Sequence, residues 1–277
     1  MNVKYENSMG AVLDLNDGNY FVNANDLRNF EWEYDITGRP SGLGGRVRRF
    51  SRQYAEKTLS IAVRGTGGVS YQSRLNALHA LTEPDILTTK PGRLWLDGQY
   101  LICFLSVTSE LTAYSEKKGF AAKELTIVAV EPFWHTEQIY SFSPSTGSVT
   151  GGKKYNLHYP YRFGTGYSNQ TLYNSHYAAT PMKIAIYGPV TNPEITIGGH
   201  LYAVTSVILT GERMEVDQIA RTITKIDASG GKYDMFDSRN KVHDIFQYAP
   251  AGPSSVLFTG IKFDVTLIQQ RSEPRWT

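Results

Sequence analysis

Thr58-Leu59-Ser60-Ile61-Ala62-Val63-Arg64 is the stretch that decides the fold class. Residues two apart on a strand share a face, so Leu59, Ile61 and Val63 point to a core while Thr58, Ser60 and Arg64 point to water or a neighbouring subunit. The same alternation returns at Leu125, Ile127 and Ala129, at Ile195 and Ile197, and at Ile261, Phe263, Val265 and Leu267. Tyr100 to Val107 is apolar on both faces and reads as a central strand. One segment departs from period 2. From Tyr71 to Thr82 the residues Tyr71, Leu75, Leu78 and Leu81 form one helical stripe that Ser70 can cap. Pro84 disfavours helical geometry at Glu83, so the helix is expected to stop there after about three turns. The chain reads as mainly β, with two β-sandwich-like domains, the first carrying one packed α-helix.

The length of 277 residues exceeds the roughly 100–200 of a single domain. A composition shift follows Pro132-Phe133-Trp134. From Ser141 to Thr180 the chain is rich in Ser, Gly, Asn and Tyr, with Gly151-Gly152, Gly164-Thr165-Gly166 and Pro160. Such a stretch is too long for a plain loop in a compact domain. It is expected to hold short strands, join two domains, or order against another chain. The boundary is therefore placed near Trp134, giving domains 1–134 and 135–277.

Apolar residues at 41% against charged residues at 19% indicate a packed core. The formal charge of +2, from 28 basic and 26 acidic residues, lacks the excess of a dedicated nucleic-acid binder. Cys103 is the single cysteine, so neither an intrachain disulfide nor a multi-thiolate zinc site can form. It lies between Ile102 and Phe104, where a buried thiol is the expected state. Met1 to Asn7 lacks an apolar signal segment, and no stretch approaches the ~18 apolar residues of a membrane helix. A cytoplasmic site of synthesis and no membrane contact are expected.

No Gly-x-Ser-x-Gly elbow occurs. His79, His135, His158, His176, His200 and His243 show no metal-ligand spacing. Asp14-Leu15-Asn16-Asp17-Gly18 lacks the downstream acid of a calcium loop and reads as a hairpin turn, while Asp234-Met235-Phe236-Asp237 reads as a turn with exposed acids. Gly65-Thr66-Gly67-Gly68 reads as a strand-to-helix turn, since no phosphate-binding Lys-Ser or Lys-Thr follows. No enzyme, cofactor or metal is expected. The most unusual stretch is Gly38 to Arg52, which concentrates Arg39, Arg46, Arg48, Arg49 and Arg52. It reads either as a solvated loop entering a strand, or as an inter-subunit clasp or a surface near DNA.

The order of elements resembles the distal tail proteins of long-tailed phages that infect mainly Gram-positive hosts. The matching runs are Phe30-Glu31-Trp32-Glu33-Tyr34-Asp35-Ile36-Thr37-Gly38, Leu59 to Val63, Leu75 to His79, Pro91-Gly92-Arg93-Leu94-Trp95-Leu96 and Val130-Glu131-Pro132-Phe133-Trp134. Ile184 to Ile197 and Gly211-Glu212-Arg213-Met214-Glu215-Val216-Asp217 are similar to the family's galectin-like second domain. Pro250-Ala251-Gly252-Pro253 stands where that pattern has a Pro-Gly.

The resemblance implies a homohexameric ring at the virion tail tip, built chiefly by domain 1–134, with 135–277 as a galectin-like sandwich facing outward. The implied partners are the tail tube protein, the tail-associated or tail-spike protein and receptor-binding proteins, with phage DNA passing through the bore without specific binding. The five arginines would then lie at a subunit interface or line the bore. The rival reading is a carbohydrate-binding module for host cell-wall attachment. It rests on the 12% aromatic content and on Tyr155, Tyr159, Tyr161, Tyr167, Tyr173 and Tyr177.

Overall fold

A computed structural model describes residues 2–23, 27, 32–110, 119–144 and 168–275. The chain forms two compact units, Met1–Thr136 with Gln270–Thr277, and Glu137–Gln269. Trp134 lies near the first junction, and a second junction returns residues 270–277 to the first unit.

In the first unit, β1 (Val3–Glu6), β2 (Val12–Asp14), β3 (Tyr20–Asn23), β4 (Glu33–Gly38), β5 (Gly45–Ser51) and β6 (Ala55–Arg64) precede the helix α1 (Tyr71–Thr88). They are followed by β7 (Gly92–Leu96), β8 (Gln99–Glu110), β9 (Phe120–Ala129) and β10 (Trp134–Phe142). The strand β8 pairs with β7 through Gln99 to Cys103 and with β9 from Phe104 onward, so one strand serves two sheets. One sheet runs β2-β1-β7-β8 and the other β3-β6-β9-β8. This is the central strand that its apolar faces suggest. Leu59, Ile61 and Val63 on β6 are buried with Leu125, Ile127 and Ala129 on β9, as their alternation requires.

The helix presents Tyr71, Leu78 and Leu81 to that core, each buried side chain contributing about 1.5–3 kcal/mol. Ser70 caps it, its hydroxyl accepting from the Ser73 amide at 3.2 Å. Its end differs from the sequence expectation, for Pro84 lies inside α1 and the helix continues to Thr88. An interior proline costs roughly 3 kcal/mol, and tertiary contacts in the last turn oppose that cost. Asp85 is fully buried, and its carboxylate accepts from the Tyr5 hydroxyl at 2.7 Å and the Ser8 amide at 2.8 Å. Thr89, in the left-handed region at φ 54°, closes the helix with its amide on the Ile86 carbonyl. The Asp14–Gly18 segment is also not a hairpin turn. It joins β2, which pairs with β1, to β3, which pairs with β6.

In the second unit, β11 (Ser168–Asn174), β12 (Met182–Tyr187), β13 (Val190–Thr191), β14 (Glu194–Ile197), β15 (His200–Ala203) and β16 (Val207–Ile208) come first. Then follow β17 (Arg213–Asp217), β18 (Thr222–Ile226), β19 (Lys232–Asp234), β20 (Gly252–Phe258) and β21 (Lys262–Arg271). A sheet in the order β19-β18-β17-β12-β21 faces a second one, β11-β20-β14-β15. Ile184, Val216, Phe263 and Val265 from one sheet pack with Leu172, Ile195, Val256 and Phe258 from the other. The Phe142 and Phe258 rings each stand 4.9 Å from Phe263 at the centre of this sandwich. Of the irregular stretch Ser141 to Thr180, β11 is a strand, and residues 145–167 lie outside the described residues. The strands β10 and β21 carry the chain into this unit and out of it again.

Candidate functional site

The strands β4 and β5 pair with each other and with no other described strand, and nearly every residue on them is exposed. The register sets Glu33 opposite Ser51, Tyr34 opposite Phe50, Asp35 opposite Arg49, and then Ile36 opposite Val47. Arg48 is therefore an extra residue, a β-bulge. Its effect is chemical. Val47 and Phe50 are three apart in sequence and would fall on opposite faces of a regular strand, and the bulge returns both to the face of Tyr34 and Ile36. One face of the hairpin is thus apolar, with Tyr34 and Phe50 in edge contact at 6.4 Å. The other carries Glu33, Asp35, Thr37, Arg46 and Arg49.

Both apolar pairs are open to solvent, with Tyr34 64% and Phe50 63% exposed, and Leu43 at the tip is 79% exposed. A two-stranded ribbon alone is marginal in water. Its base is fastened instead. The Arg52 guanidinium lies 5.6 Å from the Trp32 ring and 5.5 Å from the Phe133 ring, which meet each other edge to face at 6.3 Å. Arg52 also donates to the Ser272 carbonyl at 3.0 Å. Burial holds the Arg52 pKa below its usual value, with the Glu273 carboxylate opposing that shift.

The five arginines of Gly38–Arg52 therefore divide. Arg39 and Arg46 line a groove at the hairpin tip with Arg48, Arg49 stands opposite Asp35, and Arg52 sits apart at the base. Tyr34, Ile36, Val47 and Phe50 are the site residues that period-2 reading misses. The signal for Tyr34 and Ile36 is present in Glu33-Tyr34-Asp35-Ile36-Thr37, but that for Val47 and Phe50 needs the bulge.

The whole chain matches solved structures. The SPP1 Dit protein, described as a paradigm of the hub adsorption apparatus in Gram-positive-infecting phages, matches with a TM-score of 0.61 at 13% identity over 98% of each chain. The fold is that of the SPP1 hub protein. A chain of the phage p2 baseplate in its activated conformation matches with a TM-score of 0.65 at 12% identity over 99% of each chain, in the strontium and the calcium structures alike. No family model matches the sequence, and no curated protein does.

Within this fold the other candidate residues among the described ones take structural places. Cys103 is fully buried, and burial pushes its thiol up to about 12. Among the described residues no three of His, Cys, Asp or Glu gather as a metal site, and His158 lies outside them. His135 is buried, its ring stacked 5.2 Å from Tyr100. Asp17 accepts from the Asn19 and Tyr20 amides, and Asp234 from that of Phe236, all turn-forming bonds. Tyr173 and Tyr177 are exposed, whereas Tyr155, Tyr159, Tyr161 and Tyr167 lie outside the described residues. No helix among the described residues is long and apolar enough to cross a membrane.

Proposed function

We propose that the chain is a non-enzymatic tail-tip hub of a phage virion, a closed ring of six copies in which the β4–β5 hairpin clasps the next subunit. The observation that carries this reading is the exposed apolar face of Tyr34, Ile36, Val47 and Phe50 on a ribbon that pairs with no other described strand. Soluble monomers rarely leave such a contiguous face open, and a head-to-tail contact repeated by a closing rotation covers it on every copy. The fold shared with the SPP1 hub protein supports the place of assembly.

Seating the apolar face on a neighbour leaves Arg46 and Arg49 on the opposite face, with Arg39 and Arg48 beside them at the tip. There they border the bore or pair with carboxylates of the adjacent subunit. A few cations in an otherwise balanced chain let DNA pass without capture. The ring is the work of domain 1–134, stacked on the tail tube protein. The sandwich of 135–277, in the role of the galectin-like domain, faces the tail-associated protein and the receptor-binding proteins.

The test is electron microscopy and light scattering of the purified protein, alone and with its tail tube partner. Six-fold rings are expected, and Tyr34→Ser with Phe50→Ser should abolish them without unfolding the monomer. Rings formed equally by the double variant would remove the clasp, and a wild-type chain that stays monomeric even with its tube partner would remove the hub.

A further inference from the structure

The sheet β19-β18-β17-β12-β21 carries an ordered set of charges. Lys183 pairs with Asp217 at 2.9 Å, Arg213 with Glu215 at 2.7 Å, and Lys225 with Glu212 at 2.8 Å. At the free end of the sheet this pairing stops. The side chains of Arg221, in the loop before β18, and Lys232, on the edge strand β19, make no ion pair or hydrogen bond among the described residues. Both line one groove of about 380 Å³ with Thr222, Thr224, Asp234 and Phe236. The two threonine hydroxyls are likewise without a hydrogen-bond partner, and Asp234 uses only one carboxylate oxygen, for the Phe236 amide.

Arg221 is held there against its backbone preference. Its φ of 53° lies in the left-handed region, which favours glycine and strains any residue with a side chain. The loop is pinned from within. Asp217 accepts from the Ile219 and Ala220 amides, and buried Gln218 accepts from the Met182 amide and donates to the Gln247 carbonyl. Nothing in those bonds requires arginine. Its guanidinium lies 5.0 Å from the Phe246 ring, which fixes it beside the groove without neutralising it.

We infer that this groove binds an acidic carbohydrate, a sugar carrying phosphate or carboxylate. Arg221 and Lys232 complement the oxyanion, and Thr222, Thr224 and the remaining Asp234 oxygen complement sugar hydroxyls, while Phe236, with the Arg239 guanidinium 3.9 Å from its ring centroid and Phe246 stacked at 6.0 Å, forms the groove wall. A bare anion would leave Asp234 opposed to it. The site lies wholly in the second unit and does not depend on the ring.

The experiment is calorimetric titration of the intact chain with glucose 6-phosphate, glucuronate, glucose, inorganic phosphate and a polyglutamate peptide. The acidic sugars should saturate with dissociation constants on the order of 1 mM, and glucose and phosphate should bind at least ten-fold more weakly. Arg221→Gly relieves the backbone strain, so it should keep or raise the melting temperature while weakening acidic-sugar binding at least five-fold, and Lys232→Ala should weaken it similarly. The Tyr34→Ser, Phe50→Ser chain should bind as the wild type does, which separates this site from the clasp. The inference is overturned by phosphate binding as tightly as the sugar phosphate, by the peptide outcompeting the sugars, by unchanged binding in the two groove variants, or by no saturable binding at all.

Discussion

The strand β4 of the hairpin and the β6–β9 pair are written in the same alternating pattern and end in opposite surroundings. Leu59 and Leu125 face each other across β6 and β9 with no exposure, whereas Tyr34 and Phe50 face each other across β4 and β5 largely in water. Periodicity fixes which residues share a face. It is silent on whether anything covers that face, and the two regions differ in that respect and in the bulge at Arg48 that β5 needs to build its face.

The comparison breaks most sharply inside the first core. Gly92 has so little room that a Cβ would stand 2.5 Å from the Tyr5 hydroxyl, 2.6 Å from the Glu6 carbonyl and 2.7 Å from an Asp85 oxygen. Two of these belong to the buried pair that holds the end of α1. Gly92→Ala is expected to cost about 3 kcal/mol in denaturant unfolding, by forcing that pair apart. Asp85→Ala leaves the Tyr5 hydroxyl and the Ser8 amide unpartnered and should cost about 2–3 kcal/mol. Losses under about 1 kcal/mol in both would mean that the core is looser than the hairpin contrast requires.

Much of this core is legible in the sequence because its signals are local. The strands at Leu59, Leu125, Ile195 and Phe263 follow from alternation, and the start of α1 follows from Ser70 and the leucine stripe. Its end does not. Pro84 is a local stop signal, and it loses to Asp85, whose partners Tyr5 and Ser8 lie some eighty residues away in the chain. The candidate site is legible only in part for a related reason. The arginines of Gly38–Arg52 draw the eye as charge, but the apolar face depends on a register shift at Arg48, and the groove at Arg221 depends on which cations elsewhere are already paired. Neither is a property of a short window of sequence.

On the hairpin the same size of substitution should barely register as stability. Tyr34→Ser with Phe50→Ser removes two large apolar side chains, yet both are exposed and lose little burial in the isolated chain, so the change in unfolding free energy should stay within about 0.5 kcal/mol. A cost above about 2 kcal/mol would show that the hairpin packs on its own subunit, and the contrast with β6–β9 would vanish.

The smallest effect in energy is the most discriminating in position, because one thiol can report on each region. Cys103 is sealed in the core, and burial raises its pKa to about 12, so at neutral pH it stays protonated and should not react with an aromatic disulfide reagent until the chain is unfolded. Val47→Cys places a second thiol on the exposed apolar face of the hairpin at almost no cost in stability. In a dilute monomer it should react at once. If the proposed ring seats that face on a neighbouring subunit, the thiol should fall silent on assembly, as Cys103 is in the core. A Val47→Cys thiol that reacts equally fast in the assembled and the monomeric protein would place the apolar face outside any subunit contact and remove the proposed clasp.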